Sequence, residues 1–163
     1  MPALERLYTI APSFRAEKSR TRRHLTEFWH AEMEIAWATN DEVMNHGEGV
    51  VRHIASTLLD ERSEELQSLG RDLELIGRYA DSPFPRMRYD EAIEILQGKG
   101  VDVEWGQDLD YSKEKILTQD FDVPHFLTHY PKIAKPFYHR VDPEDDKYVL
   151  CHDCLLYTSP SPR

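Results

Sequence analysis

Apolar and polar residues alternate with period two at the start of the chain. Leu7-Tyr8-Thr9-Ile10-Ala11 reads as a strand that Pro12 breaks or bulges and that resumes from Phe14 to Glu17. Residues Leu25 to Trp37 read as its antiparallel partner. In that second strand Trp29, Ala31, Met33 and Ile35 share one face, while Phe28, His30, Glu32 and Glu34 share the other. The first face is expected to be core and the second a polar floor on which chemistry can sit.

The period changes after Asn40. Val43, Met44, Val50, Val51, Ile54, Leu58 and Leu59 recur at spacings of three, four and seven, which predicts a helix with Thr39-Asn40 at its cap and acids at Asp41 and Glu42. A second amphipathic stretch runs from Glu64 to Tyr79, with Gly70 as its expected break and Ser82-Pro83-Phe84-Pro85 as its stop. Arg86 to Tyr89 reads as short and extended. Asp90 is expected to cap a helix over Glu91 to Gln97 that ends at Gly98. Val101 to Trp105 alternates like a strand, and Tyr111 to Leu117 like a short helix. Three strands are then expected, at His125 to Tyr130, Pro136 to Val141 and Lys147 to Cys151. Strands, then helices, then strands predict an α+β fold: an antiparallel β-sheet flanked by helices on one side. There is no internal repeat and no P-loop or dinucleotide-binding glycine fingerprint.

Composition narrows the function. A chain of 163 residues that is 40% hydrophobic and 31% charged carries enough apolar content for a real core. No apolar run approaches the roughly 20 residues of a membrane span, and no secretory signal opens the chain, so a soluble, cytoplasmic protein without membrane contact is expected. The formal net charge of −10 excludes a protein that simply coats nucleic acid. The positive charge is local: Arg15, Lys18, Arg20, Arg22 and Arg23 lie within one turn between the first two strands, with Glu17 the single acid among them. Such a loop is either an anion site or a solvated surface turn. The two cysteines, Cys151 and Cys154, cannot build a disulfide framework, and one CxxC without a second ligand pair is a weak zinc or redox signal.

The string Phe14-Arg15-Ala16-Glu17, the basic loop, Arg23-His24-Leu25-Thr26-Glu27-Phe28 and then Glu32 resembles motif 2 of the class II aminoacyl-tRNA synthetases. The segments YTIAPSFRAEKSRTRRHLTEFWHAEMEIAW, PFPRMRYDEAIEIL, VEWGQDL, THYPKIAKPFYHR and YVLCHD resemble the asparaginyl and archaeal-type aspartyl members, and the last favours the asparaginyl ones. The resemblance implies ATP-dependent ligation of L-asparagine to its tRNA through an asparaginyl-adenylate, with ATP and Mg²⁺, in a homodimeric enzyme. An aspartyl enzyme and an amidating ligase of the same fold that makes free asparagine are the alternatives.

Adenylate formation brings a carboxylate to the α-phosphate of ATP, so the site must hold a bent triphosphate and stabilise charge as pyrophosphate leaves. The planar fork of Arg15 suits a bridge between the α-phosphate and the amino-acid carboxylate better than a lysine would. Arg15 and Glu17 share a face, where they can also be a plain ion pair. The resemblance implies that Glu17 accepts from the adenine amino group, that Arg23, His24 and Leu25 border the nucleotide with the two basic side chains near the outer phosphates, and that Phe28 stacks on adenine. It implies that Lys18, Arg20 and Arg22 reach the acceptor end of tRNA, though a solvated turn explains them equally. Lys135 is expected either to orient the amino-acid side chain from a strand or to be exposed beside Pro136. Asp153 coincides with a position just before the magnesium-binding pair of the family.

The motif expected to grip the γ-phosphate, the dimer-forming motif and the anticodon-binding domain are not found in the 163 residues. Residues 1–153 are therefore expected to be a partial catalytic domain that begins just before motif 2, and 154–163 a tail resembling translated adapter sequence.

Overall fold

The computed structural model describes residues 4–16 and 25–156. The chain divides between Thr39 and Asn40 into two units, each taken on its own.

In the first unit, β1 (Arg6–Phe14) pairs antiparallel with β2 (Glu27–Ile35), in register from Arg6 opposite Ile35 to Phe14 opposite Glu27. Backbone hydrogen bonds from Arg15 N–H to the Thr26 carbonyl (2.9 Å) and from Ala36 N–H to the Glu5 carbonyl (2.8 Å) continue the ladder at both ends. They place the odd-numbered residues of β1 in the hydrogen-bonded pairs. Pro12 occupies the other kind of pair, opposite Trp29. Its missing N–H would have pointed away from β2, so the expected break does not occur and β1 runs through the proline.

Directly opposed residues share a face. Trp29 and Met33 share a face as the alternation predicts, and the register adds Tyr8, Ile10 and Phe14 to it, yet this apolar face is exposed and not core, with Trp29 74% and Met33 41% accessible. The ribbon ends at Trp37, in the left-handed region at φ 66°.

The second unit opens with α1 (Asn40–Ser68), kinked at Arg62 (φ −138°, ψ 24°). Gly70, at φ 67°, turns the chain into α2 (Leu73–Asp81), whose first turn is capped by the Asp72 carboxylate accepting from Leu75 N–H at 3.0 Å. The expected second amphipathic helix is thus divided at its glycine, and its first residues complete α1.

β3 (Arg86–Arg88) leads into α3 (Tyr89–Gly98). The helix starts earlier than expected because Arg88 is its N-cap; the Glu91 carboxylate reaches back to Arg88 N–H at 2.9 Å, which leaves Asp90 for another task. Residues 101–105 form no strand. α4 (Tyr111–Thr118) follows, then β4 (His125–Pro131), a 3₁₀ turn at Lys132–Ala134 and β5 (Tyr148–Leu155). The expected strand at 136–141 is absent apart from one bridge between Val141 and Val149.

The sheet order is β3-β4-β5. β4 and β5 are antiparallel, but β3 and β4 are parallel, joined by the crossover through α3 and α4, so the sheet is mixed and not purely antiparallel. Helices cover both of its faces, not one. Tyr89, Ala92, Ile93 and Leu96 form one stripe of α3 that packs with Leu127, Tyr130 and Val149. On the opposite face Met44 of α1 packs with Phe84 and Phe126. β4, covered on both sides, is accordingly buried almost throughout, its polar His125 and Thr128 included. β5 runs across residue 153 into the expected tail, with Cys154 opposite Phe126 and Leu155 buried opposite His125. Among the described residues no helix is long and apolar enough to cross a membrane.

Candidate functional site

The polar face of the β1–β2 ribbon carries Phe28, His30 and Glu32, with Arg15 beside them. Arg15, one residue beyond β1, places its guanidinium carbon 5.7 Å from the centre of the Phe28 ring. Phe28 lies 5.7 Å from the His30 ring, and His30 Nδ1 is 3.5 Å from the Glu32 carboxylate. A cation over an aromatic plane, beside an imidazole and a carboxylate, is a platform that can stack a base and hold an anion. Arg15 and Phe28 are brought together by the register that sets Phe14 opposite Glu27 and Ser13 opposite Phe28. Leu25 is exposed just before β2. Glu17, Lys18, Arg20, Arg22, Arg23 and His24 lie outside the described residues.

In the second unit a lysine sits among acids and rings. Lys135 caps the 3₁₀ turn and is not on a strand. Its ammonium is 3.2 Å from Asp108, 3.5 Å from Asp153 and 3.8 Å from the centre of the Tyr130 ring, while its side chain is only 16% exposed. The exposed alternative for Lys135 is thereby excluded. Burial works against its charge, but Asp153 and Asp108 outweigh it and hold the ammonium pKa above its ordinary value. The same burial, reinforced by Asp153, pushes the Tyr130 phenol up and keeps it neutral.

Tyr130 reaches this place through a β-bulge. The register slips between Thr128 and Tyr130, and His129 takes a left-handed φ of 53°. Between the pairs Thr128–His152 and Tyr130–Val149 β4 advances by two residues and β5 by three, so the extra residue lies on β5, while the left-handed His129 breaks the alternation of β4 and Tyr130 shares the face of Leu127.

Asp153 turns its carboxylate toward Lys135. Among the described residues no group of three or more His, Cys, Asp or Glu side chains is placed to hold a metal ion, and the Asp153 carboxylate is engaged by Lys135. Cys151 and Cys154 are free thiols that pack into opposite cores, and burial raises both, Cys154 to about 11. Neither a shared metal nor a reactive thiolate fits that arrangement.

The sequence pattern alone did not reveal the loop that supplies Asp108. Trp105 Nε1 donates to one oxygen of Asp90 at 2.7 Å, and the Tyr148 hydroxyl donates to the other at 2.8 Å. The Tyr89 hydroxyl accepts from Gly106 N–H at 3.1 Å and donates to the Gln107 carbonyl at 2.6 Å. The only signal for this loop was the segment VEWGQDL, whose partners lie far away in the chain.

Residues 1–158 match the family described as tRNA synthetases class II (D, K and N). The chain is 48% identical over 152 residues to the asparagine–tRNA ligase of Thermococcus gammatolerans, covering 93% of this chain and 35% of that protein. It is 48% identical over 153 residues to that of Thermoplasma acidophilum. The structure is similar to the crystal structure of asparaginyl-tRNA synthetase from Pyrococcus horikoshii complexed with asparaginyl-adenylate, with a TM-score of 0.90 and 48% identity over 94% of this chain and 35% of that one. The aspartyl tRNA synthetase of Entamoeba histolytica gives a TM-score of 0.76 at 25% identity, covering 93% of this chain and 32% of that one. The chain thus spans 35% of the length of the curated relatives it matches.

Proposed function

The chain belongs to the class II tRNA synthetases of the D, K and N group, and from that premise we propose that it carries part of the catalytic apparatus of an asparagine–tRNA ligase. The reaction is the attack of the L-asparagine carboxylate on the α-phosphate of ATP, followed by transfer of the asparaginyl group to tRNA. The observation that carries this reading is the Arg15–Phe28 platform on the polar face of the ribbon, in a chain 48% identical to asparagine–tRNA ligases.

The Arg15 guanidinium offers two parallel N–H donors to the α-phosphate and the amino-acid carboxylate as charge builds between them. Phe28 presents an aromatic plane to adenine. Glu17, Arg23, His24 and Leu25 complete the nucleotide contacts, and Lys18, Arg20 and Arg22 meet the phosphates of the tRNA acceptor end. In the second unit the Lys135 ammonium, half sequestered and aligned by two acids, is a fixed donor for the carboxamide oxygen of asparagine. Mg²⁺ would arrive with the ATP phosphates and neutralise part of their charge; Asp153 alone does not supply its site. Homodimerisation and a cytoplasmic location complete the proposal.

Arg15→Ala in the full-length protein tests it. Adenylate formation is expected to fall by at least about a hundredfold, the scale of one preorganised charge-stabilising donor, with the thermal midpoint unchanged. Retained activity would refute the role of Arg15.

A further inference from the structure

Twelve residues, 99–110, connect α3 to α4 without forming a helix or strand of their own. Buried Val103 and Leu109 tie down the far part of this loop. Between them the chain must come to the surface and present Asp108 to Lys135.

Two adjacent residues in the first turn of α3 hold this stretch. Tyr89 is fully buried, and its one hydroxyl satisfies both the N–H of Gly106 and the carbonyl of Gln107. Asp90 uses both of its oxygens, one on the Trp105 indole and one on the Tyr148 hydroxyl of β5. Gly106 lies at φ 95°, which an L side chain rarely adopts, and a Cβ there would meet Ile133 at 3.4 Å. Ile133 belongs to the same turn that carries Lys135. The loop and the lysine-bearing turn are therefore in close approach at the point that Tyr89 fixes. The Tyr89 ring also lies 5.6 Å from that of Tyr130, the ring beneath the Lys135 ammonium.

We propose that Tyr89 is a positioning residue for the amino-acid side of the site: its hydroxyl sets the backbone of Gly106 and Gln107 so that the next carboxylate, Asp108, locks the Lys135 ammonium in place. A buried tyrosine merely satisfying its own hydroxyl would need one partner of any kind. Here both hydrogen bonds go to the two residues immediately before Asp108. Removing the hydroxyl leaves a backbone donor and a backbone acceptor unpaired, and the loop relaxes where Asp108 is attached.

The proposal rests on the asparagine–tRNA ligase reading for its kinetic test and is independent of it for its spectroscopic one. In asparagine-dependent pyrophosphate exchange by the full-length protein, Tyr89→Phe is expected to raise KM for asparagine about 3- to 10-fold, the worth of a lost hydrogen bond. KM for ATP and kcat stay unchanged. In the double variant Tyr89→Phe with Asp108→Asn, KM for asparagine is expected to match that of Asp108→Asn alone, because both changes cut the same connection. An unchanged KM for asparagine, equal rises in KM for both substrates, or full additivity would overturn the proposal. Absence of asparagine-dependent exchange in the wild type would refute the ligase reading instead. The NMR titration of the Lys135 side chain then decides: its pKa is expected to drop toward the ordinary lysine value in Tyr89→Phe, and an unchanged titration overturns the proposal. Should Tyr89→Phe fail to fold, Trp105→Phe, which removes the indole N–H that ties the loop to Asp90 and keeps an aromatic ring beside Tyr89 and Tyr148, is expected to shift both readouts in the same direction, and no shift overturns it.

Discussion

His125 gives the fold a built-in acid sensitivity whose size follows from its surroundings. It opens β4 with no accessible surface, its ring stacked on Phe121 at 4.2 Å. Neither ring nitrogen has a hydrogen-bond partner among the described residues. Burial therefore disfavours the imidazolium, and the pKa falls from the ordinary 6.5 to about 4. In the unfolded chain the same imidazole protonates near its ordinary value. As pH falls from about 6.5 to 4 the unfolded state takes up a proton that the folded state refuses, so stability is lost through this window and levels off below it. At about 1.4 kcal/mol per pH unit, the gap between the two values is worth about 3 kcal/mol.

The assay is urea unfolding at a series of pH values, for the wild type and for His125→Phe, which keeps an aromatic ring against Phe121. Repacking around the larger ring adds a constant offset. The difference in stability between the two proteins should nevertheless move by about 3 kcal/mol in favour of the variant between pH 7 and 4. Parallel stability curves would refute the reasoning, because they would mean that His125 protonates equally well in the folded state.

The remaining predictions concern the lysine cluster and the core. Lys135→Met keeps the aliphatic stem but removes two partly exposed ion pairs and a cation–π contact, at an expected cost of about 1–2 kcal/mol in urea unfolding. Because the folded pKa is raised, that deficit should persist up to about pH 10 and shrink above it; a deficit that vanishes at neutral pH contradicts the cluster. Leu96→Ala empties a fully buried position on α3 and is expected to cost about 2–5 kcal/mol by the same measurement. A loss below about 1 kcal/mol would mean that α3 does not pack as described.

What the sequence shows most clearly is local. The period-two alternation of β2 puts Phe28, His30, Glu32 and Glu34 on one face, because strand geometry alone decides which side chains of one strand are neighbours; that Arg15 joins them follows from the register with β1. Gly70 marks the turn before α2 because few other residues adopt its φ readily. The effect of Pro12 was not legible, since it depends on which of two pair types the register assigns, and register is set by the partner strand. The parallel pairing of β3 was hidden because three residues carry no periodicity. Residues 136–141 look like a strand by composition but make one bridge only, between Val141 and Val149 on the outer edge of β5.

The lysine site depends on contacts across the chain. Lys135 meets Asp108 from 27 residues away, and Tyr89 holds Gly106 from 17 residues away. No spacing rule links such residues. The left-handed conformation of His129, which turns Tyr130 toward the lysine, has no sequence marker either, since histidine there replaces the glycine that a left-handed φ favours.

The central claim is that this chain serves activation of asparagine. Its most direct test is the exchange of labelled pyrophosphate into ATP by the full-length protein, run in parallel with asparagine and with aspartate. Exchange that depends on asparagine and is lost in Arg15→Ala is the predicted result; exchange driven by aspartate, or by neither amino acid, would contradict it.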